Sequence, residues 1–191
     1  TLEILPILDR YNIKATFFVI GKTDKKSLEI LKKIADSGHS IGIHTYSHNY
    51  NRIYQSVESY LDDFKKMYDV IYQNTNVKPD IFRFAGGSIS AYNSHLYKPL
   101  IAEMTRRGFS FYDWNACGND AMGNATKASI IEDSVSKLRK DKRYILLMHD
   151  SATMKATVSA LPEIIERIED KGFTFDKLTS EVKPIAFAYP D

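Results

Sequence analysis

At 191 residues, 43% hydrophobic and 26% charged, the chain has the size and composition of one globular domain with a sizeable core. Its formal net charge of +2, with basic residues scattered among acidic ones, is too mild to argue for a nucleic-acid surface. The single cysteine, Cys117, excludes an internal disulfide, and no stretch approaches the roughly 18 apolar residues of a membrane span.

Taken in chain order, two periods alternate. Leu2, Ile4, Leu5, Ile7 and Leu8 fit a helix in which Pro6 is tolerable only near the first turn. Thr1 to Leu5 has no basic leader and reads as the middle of that helix, so the domain is expected to be N-terminally incomplete. Residues 15–20 form a short β-rich run closed by Gly21, and residues 24–37 return to helix, stopped by Gly38. Residues 40–43 predict a second strand. Residues 56–73 predict the longest helix, with Val57, Leu61, Phe64, Tyr68 and Ile71 on its stripe. Strands are expected at 81–84, 109–112, 144–148 and 173–175, and helices at 93–107, 127–139 and 158–170. A β-then-α unit repeated about six times, with no linker, predicts one α/β domain over residues 1–191, built on a parallel sheet.

The chemistry-bearing residues fall where strands end. The second strand runs into His44, and the third carries Arg83 and runs into Gly86-Gly87. The fourth reaches Asp113, and the fifth reaches His149-Asp150. In parallel α/β folds the C-terminal strand ends converge on one face, so four ionisable strand ends point to an active site. His44 and His48 stand at i and i+4; on one turn of helix both rings share a face and suit a single metal ion, against the plainer possibility of two surface histidines. His149 is the natural general acid or base. Asp113 is placed to orient it and raise its pKa, or else to cap the strand end. The turn at Gly86 suits an oxyanion-binding N–H but equally a plain turn. Trp114 suits the wall of a small apolar pocket or an aromatic core. His39, before a strand, and His95, near a helix start, are read as structural.

Gly38 to His48 resembles the second motif of the polysaccharide deacetylases, the NodB homology domain of carbohydrate esterase family four. Lys14 to Gly21 resembles the strand before it. Arg83 to Ser88 is similar to the third motif in a Gly-Gly-Ser variant found in deacetylases of Gram-positive bacteria. Asp113-Trp114 resembles the fourth motif and Leu147-Met148-His149 the fifth. The resemblance implies a distorted (β/α) barrel of about six or seven parallel strands. It also implies a divalent metal, usually zinc, with His44 and His48 as ligands. It implies His149 as catalytic acid tuned by Asp113, and Arg83 positioning the base. The Gly86 N–H would face the oxyanion, with Trp114 and Leu147 around the acetyl group. The family's Asp-Asp motif, which carries the base and the third metal ligand, would precede Thr1, and with it the first strand. The implied activity is removal of N-acetyl groups from a cell-wall or extracellular polysaccharide, peptidoglycan or chitin-like, at or outside the cell surface. The alternatives are a glycan-binding pseudo-enzyme and an amidase on a non-carbohydrate substrate.

Overall fold

The computed structural model describes residues 1–188. In chain order the elements are α1 (Ile4–Arg10), β1 (Thr16–Ile20), α2 (Lys25–Asp36), β2 (Ser40–Thr45), α3 (Tyr50–Ile53), α4 (Val57–Thr75) and β3 (Ile81–Phe82). They continue as α5 (Tyr97–Arg106), β4 (Ser110–Phe111), β5 (Ala116–Cys117), α6 (Lys127–Val135), β6 (Leu146–Leu147) and α7 (Lys155–Asp170). Every strand pairing among the described residues is parallel, as the βα alternation predicts. The described residues pack as two compact units, one of residues 14–113 and 177–188, the other of residues 1–13 and 114–176.

The larger unit holds a four-stranded sheet in the order β1-β2-β3-β4. Thr16 to Val19 pair in step with Ser40 to Ile43, but Ile20 pairs with Thr45. His44 is therefore the extra residue of a β-bulge, a device that re-aims a side chain at a strand end. The sheet face against α4 is filled by rings: Phe64 packs edge-on to Phe82 and Phe109, and Phe82 packs edge-on to Phe84. Such pairs add about 0.5–1.5 kcal/mol beyond their area burial. The last segment of the unit runs beside β4 and β1. The Asp113 N–H donates to Ile185 O at 2.8 Å, and the Leu178 N–H donates to Thr16 Oγ1 at 2.7 Å.

The smaller unit is a two-stranded parallel ladder, β5 and β6, with α6 and α7 packed together. Ile130, Ile131, Val135, Ala160, Ile164 and Ile168 form its core. Asn115 stitches the ladder's entrance: its Oδ1 accepts the Ile145 N–H at 2.8 Å and its Nδ2 donates to Arg143 O at 3.0 Å.

Four sequence expectations change. Residues 173–175 form no strand; Phe173 and Phe175 instead pack their rings against the helical core. Ala116–Cys117 is a strand that a two-residue run cannot announce. Residues 91–96 form turns before α5 begins at Tyr97. The inward face of α4 is Tyr60, Asp63, Phe64, Met67 and Ile71, rotated from the expected stripe.

The Tyr60 hydroxyl is buried without a hydrogen-bond partner. Its ring packs against Tyr54 and Phe84. An orphaned buried donor costs about 1–3 kcal/mol, whereas its ring contributes apolar burial. Tyr60→Phe is therefore expected to raise the unfolding free energy by about 1 kcal/mol in urea titrations. A loss of stability would mean that the hydroxyl is satisfied in solution.

Candidate active site

β2 delivers His44, and the bend after it delivers His48. The four-residue spacing acts here through a strand end and a tight turn, not through the helical turn expected from sequence. His48 adopts a left-handed backbone, φ 50°, which costs a non-glycine residue on the order of 1 kcal/mol. Local hydrogen bonds offset this. The Thr45 hydroxyl accepts the His48 N–H at 3.1 Å, and the Asp63 carboxylate accepts the N–H groups of Tyr46 at 2.6 Å and Ser47 at 3.0 Å. Asp63 comes from the middle of α4 and is buried at 5% exposure. A carboxylate on the apolar stripe of an amphipathic helix was the sequence signal that could have marked it.

The two imidazole rings stand 5.3 Å apart, centroid to centroid. Two imidazoles sharing one tetrahedral ion at about 2.0–2.1 Å per bond have centroids roughly 5 Å apart, so the spacing fits. The tautomer fits as well. His44 Nδ1 lies 2.8 Å from the Arg83 carbonyl, which can only accept, so Nδ1 carries the proton and Nε2 the lone pair. His44 and His48 thus fit half of a zinc-type donor set. No group of three His, Cys, Asp or Glu suited to a metal occurs among the described residues.

Arg83, at the end of β3, is buried. Its Nε donates to Tyr112 O at 2.8 Å, and its guanidinium lies 4.4 Å over the Phe18 ring. The following turn needs glycine twice. Gly86 and Gly87 have φ of 78° and 93°, and a Cβ on Gly87 would collide with the Phe187 ring. Asp113 braces this turn. Its carboxylate accepts the Ser88 N–H at 2.8 Å, the Phe187 N–H at 2.8 Å and the Ser88 hydroxyl.

His149 follows β6 in the other unit, and its carboxylate partner is Asp120. Asp120 Oδ1 lies 2.8 Å from His149 Nδ1, while Oδ2 accepts the His149 N–H at 2.7 Å and the Thr157 hydroxyl at 2.9 Å. The expectation that Asp113 orients His149 is thereby corrected: the orienting carboxylate stands just beyond the short β5, and Asp113 is bonded to Ser88 and Phe187. Burial alone would push the Asp120 carboxyl up. The hydrogen bonds from His149 and Thr157 outweigh burial and hold it below its ordinary value.

Trp114 lines a cavity of about 340 Å³ with Asn119, Asp133, Lys137 and Tyr144. Leu147 is not in that lining; it pairs with Cys117 in the ladder. His39 and His95, read from the sequence as structural, each bond to backbone. His39 Nδ1 accepts the Ala15 N–H at 3.0 Å, and His95 Nε2 donates to Tyr54 O at 3.1 Å.

These strand-end histidines on a parallel α/β frame define a class, and the chain belongs to the polysaccharide deacetylase family, whose model matches residues 1–105. It is 28% identical over 186 residues to a peptidoglycan-N-acetylglucosamine deacetylase of Bacillus cereus, covering 95% of this chain and 65% of that one. It is 26% identical to a putative polysaccharide deacetylase, YheN, of Bacillus subtilis, covering 97% and 64% respectively. The chain therefore spans just under two thirds of the length of these curated relatives. Among solved structures, the catalytic domain of a peptidoglycan N-acetylglucosamine deacetylase from Eubacterium rectale superposes with a TM-score of 0.90. The two share 30% identity over 98% of this chain and 86% of that one.

The lowered Asp120 pKa has a definite sign. Its contribution to stability is complete above the ordinary aspartate value, about 3.9, and is lost as pH falls through the lower folded value. Asp120→Asn removes that contribution. The stability gap between wild type and variant, followed by urea midpoints from pH 7 to pH 3, is expected to narrow below about pH 4. A gap that stays constant would contradict the assignment.

Proposed function

We propose that this chain belongs to a metal-dependent hydrolase that removes N-acetyl groups from amino sugars of a peptidoglycan-type or chitin-like glycan. The site of action would be outside the cell or at its surface. The observation that carries this proposal is the His44–His48 pair, with its ring spacing and its fixed His44 tautomer. The names of the Eubacterium rectale and Bacillus cereus relatives, both peptidoglycan N-acetylglucosamine deacetylases, support the substrate class. No helix among the described residues is long and apolar enough to cross a membrane.

His44 and His48 would hold a divalent cation, and imidazole donors favour zinc. The chemistry such a cation supplies is Lewis acidity, which polarises an amide carbonyl and makes water a stronger acid. Groups of this chain supply part of the rest. The Gly86 N–H donates to the acetamide oxygen as negative charge builds there, a contact worth roughly 10²–10³ in rate. Arg83 would position the family's base aspartate, which is not among the residues of this chain and which would take the proton of the attacking water. His149 protonates the leaving nitrogen, worth roughly 10²–10⁴. With Nδ1–H committed to Asp120, that proton comes from Nε2. Water's oxygen ends in acetate, and the amide nitrogen leaves as a free amine.

The test is acetate release from N-acetylglucosamine oligomers by the full-length gene product, with zinc content measured alongside. His149→Ala is expected to lower turnover at least about 100-fold while zinc stays bound. His48→Ala is expected to lose the zinc itself. Zinc lost from His149→Ala would make that histidine a ligand and overturn its role. Acetate released only from non-carbohydrate acetamides would identify an amidase, and glycan binding without any release a pseudo-enzyme.

A further inference from the structure

Tyr92 is a large side chain left 58% exposed, on the turns between β3 and α5. The backbone around it is firmly held. Asn93, fully buried, accepts the Ser90 N–H at 2.7 Å on Oδ1 and donates from Nδ2 to the carbonyls of Gly87 and Ser88 at 3.1 and 3.2 Å. Two residues on, His95 donates to Tyr54 O. The ring is thus presented to solvent by a braced turn, and its position costs little ordering on binding.

Its neighbours connect it to the site. The Tyr92 and Tyr50 rings lie 4.4 Å apart, Tyr50 lies 5.4 Å from His48 edge-on, and His48 lies 5.3 Å from His44. Tyr50 also closes over the glycine turn: a Cβ on Gly86 would stand 3.1 Å from its Cε1. An unbroken strip of rings therefore runs from the two imidazoles to the solvent-facing Tyr92. A pyranose ring offers an apolar C–H face bordered by hydroxyls. It matches an aromatic plate about one sugar wide whose phenol edge is wet. A peptide or lipid partner would call for a broader apolar patch than these two rings offer.

We infer that Tyr92, backed by Tyr50, is a stacking platform for a sugar adjacent to the one being deacetylated, extending the site along the glycan. This inference rests on the deacetylase proposal. The test is calorimetric binding of tetra-N-acetylchitotetraose to the metal-free, full-length gene product, next to acetate release by the wild type. Tyr92→Ala is expected to weaken binding by about tenfold. Tyr92→Phe keeps the plate and stays within about twofold of wild type. Tyr72→Ala, at an exposed tyrosine on α4, changes nothing. Wild-type affinity in Tyr92→Ala overturns the platform while acetate release leaves the deacetylase proposal standing. A tenfold loss in Tyr92→Phe would overturn stacking in favour of a hydroxyl contact. A wild type that neither binds the tetramer nor releases acetate overturns both.

Discussion

Three buried aspartates hold the functional loops of this protein in place. Asp63, Asp113 and Asp120 are 5%, 0% and 4% exposed, and each accepts two or three hydrogen bonds from backbone N–H or hydroxyl groups. A carboxylate removed from water is costly unless its lone pairs are answered, and bonds to a charged acceptor are worth about 1.5–3 kcal/mol each. The energetic stake is symmetrical: the loop satisfies the charge and the charge immobilises the loop. Each clamp sits beside a strand end. Asp63 fixes the bend after β2 that carries His48, Asp113 braces the glycine turn after β3, and Asp120 seats His149 after β6.

These clamps explain why the chemistry lies in loops without the looseness of loops. The strands are short here, two residues in four of the six among the described residues, so the ladders by themselves define little beyond direction. The aromatic core sets where the sheet of the larger unit lies against α4. Truncating one of its buried rings would cost about 3–5 kcal/mol, a large part of the 5–15 kcal/mol that a domain of this kind holds. Packing therefore sets the frame, and buried carboxylates set the last ångström, which decides where an imidazole points.

The frame and the histidines are legible in the sequence; of the carboxylates only Asp63, on the apolar side of its helix, leaves a trace. Alternating helical and strand periods, with glycine stops, mark the α/β architecture because burial imposes those periods. His44, His48 and His149 stand out because a polar residue closing an apolar run has no packing reason to be there. The partners of these histidines come from elsewhere in the chain and leave no such mark. Asp120 lies 29 residues before His149, just past a strand too short to register, whereas Asp113 ends a clearer run and drew the assignment instead. Asp63 sits among other acids on a helix whose inward face is rotated by about one position from the stripe its apolar residues suggest. A bulge at His44 adds a further shift that a period-two pattern cannot reveal.

The bulge and the left-handed turn belong together. An in-register His44 would point where the pleat dictates, and a His48 on regular backbone would follow the chain onward; neither guarantees that the rings meet. By slipping one residue at His44 and reversing φ at His48, the chain brings two imidazoles from a strand and a turn to 5.3 Å. Each departure is locally unfavourable. They persist because the Arg83 carbonyl fixes one ring, and Thr45 and Asp63 fix the backbone under the other. Such strain is tolerated where the surroundings over-determine the conformation. Glycine at position 48 would relieve the backbone and abolish the pair, so a histidine in this unfavourable conformation points to the ring, and not the fold, as what the position serves.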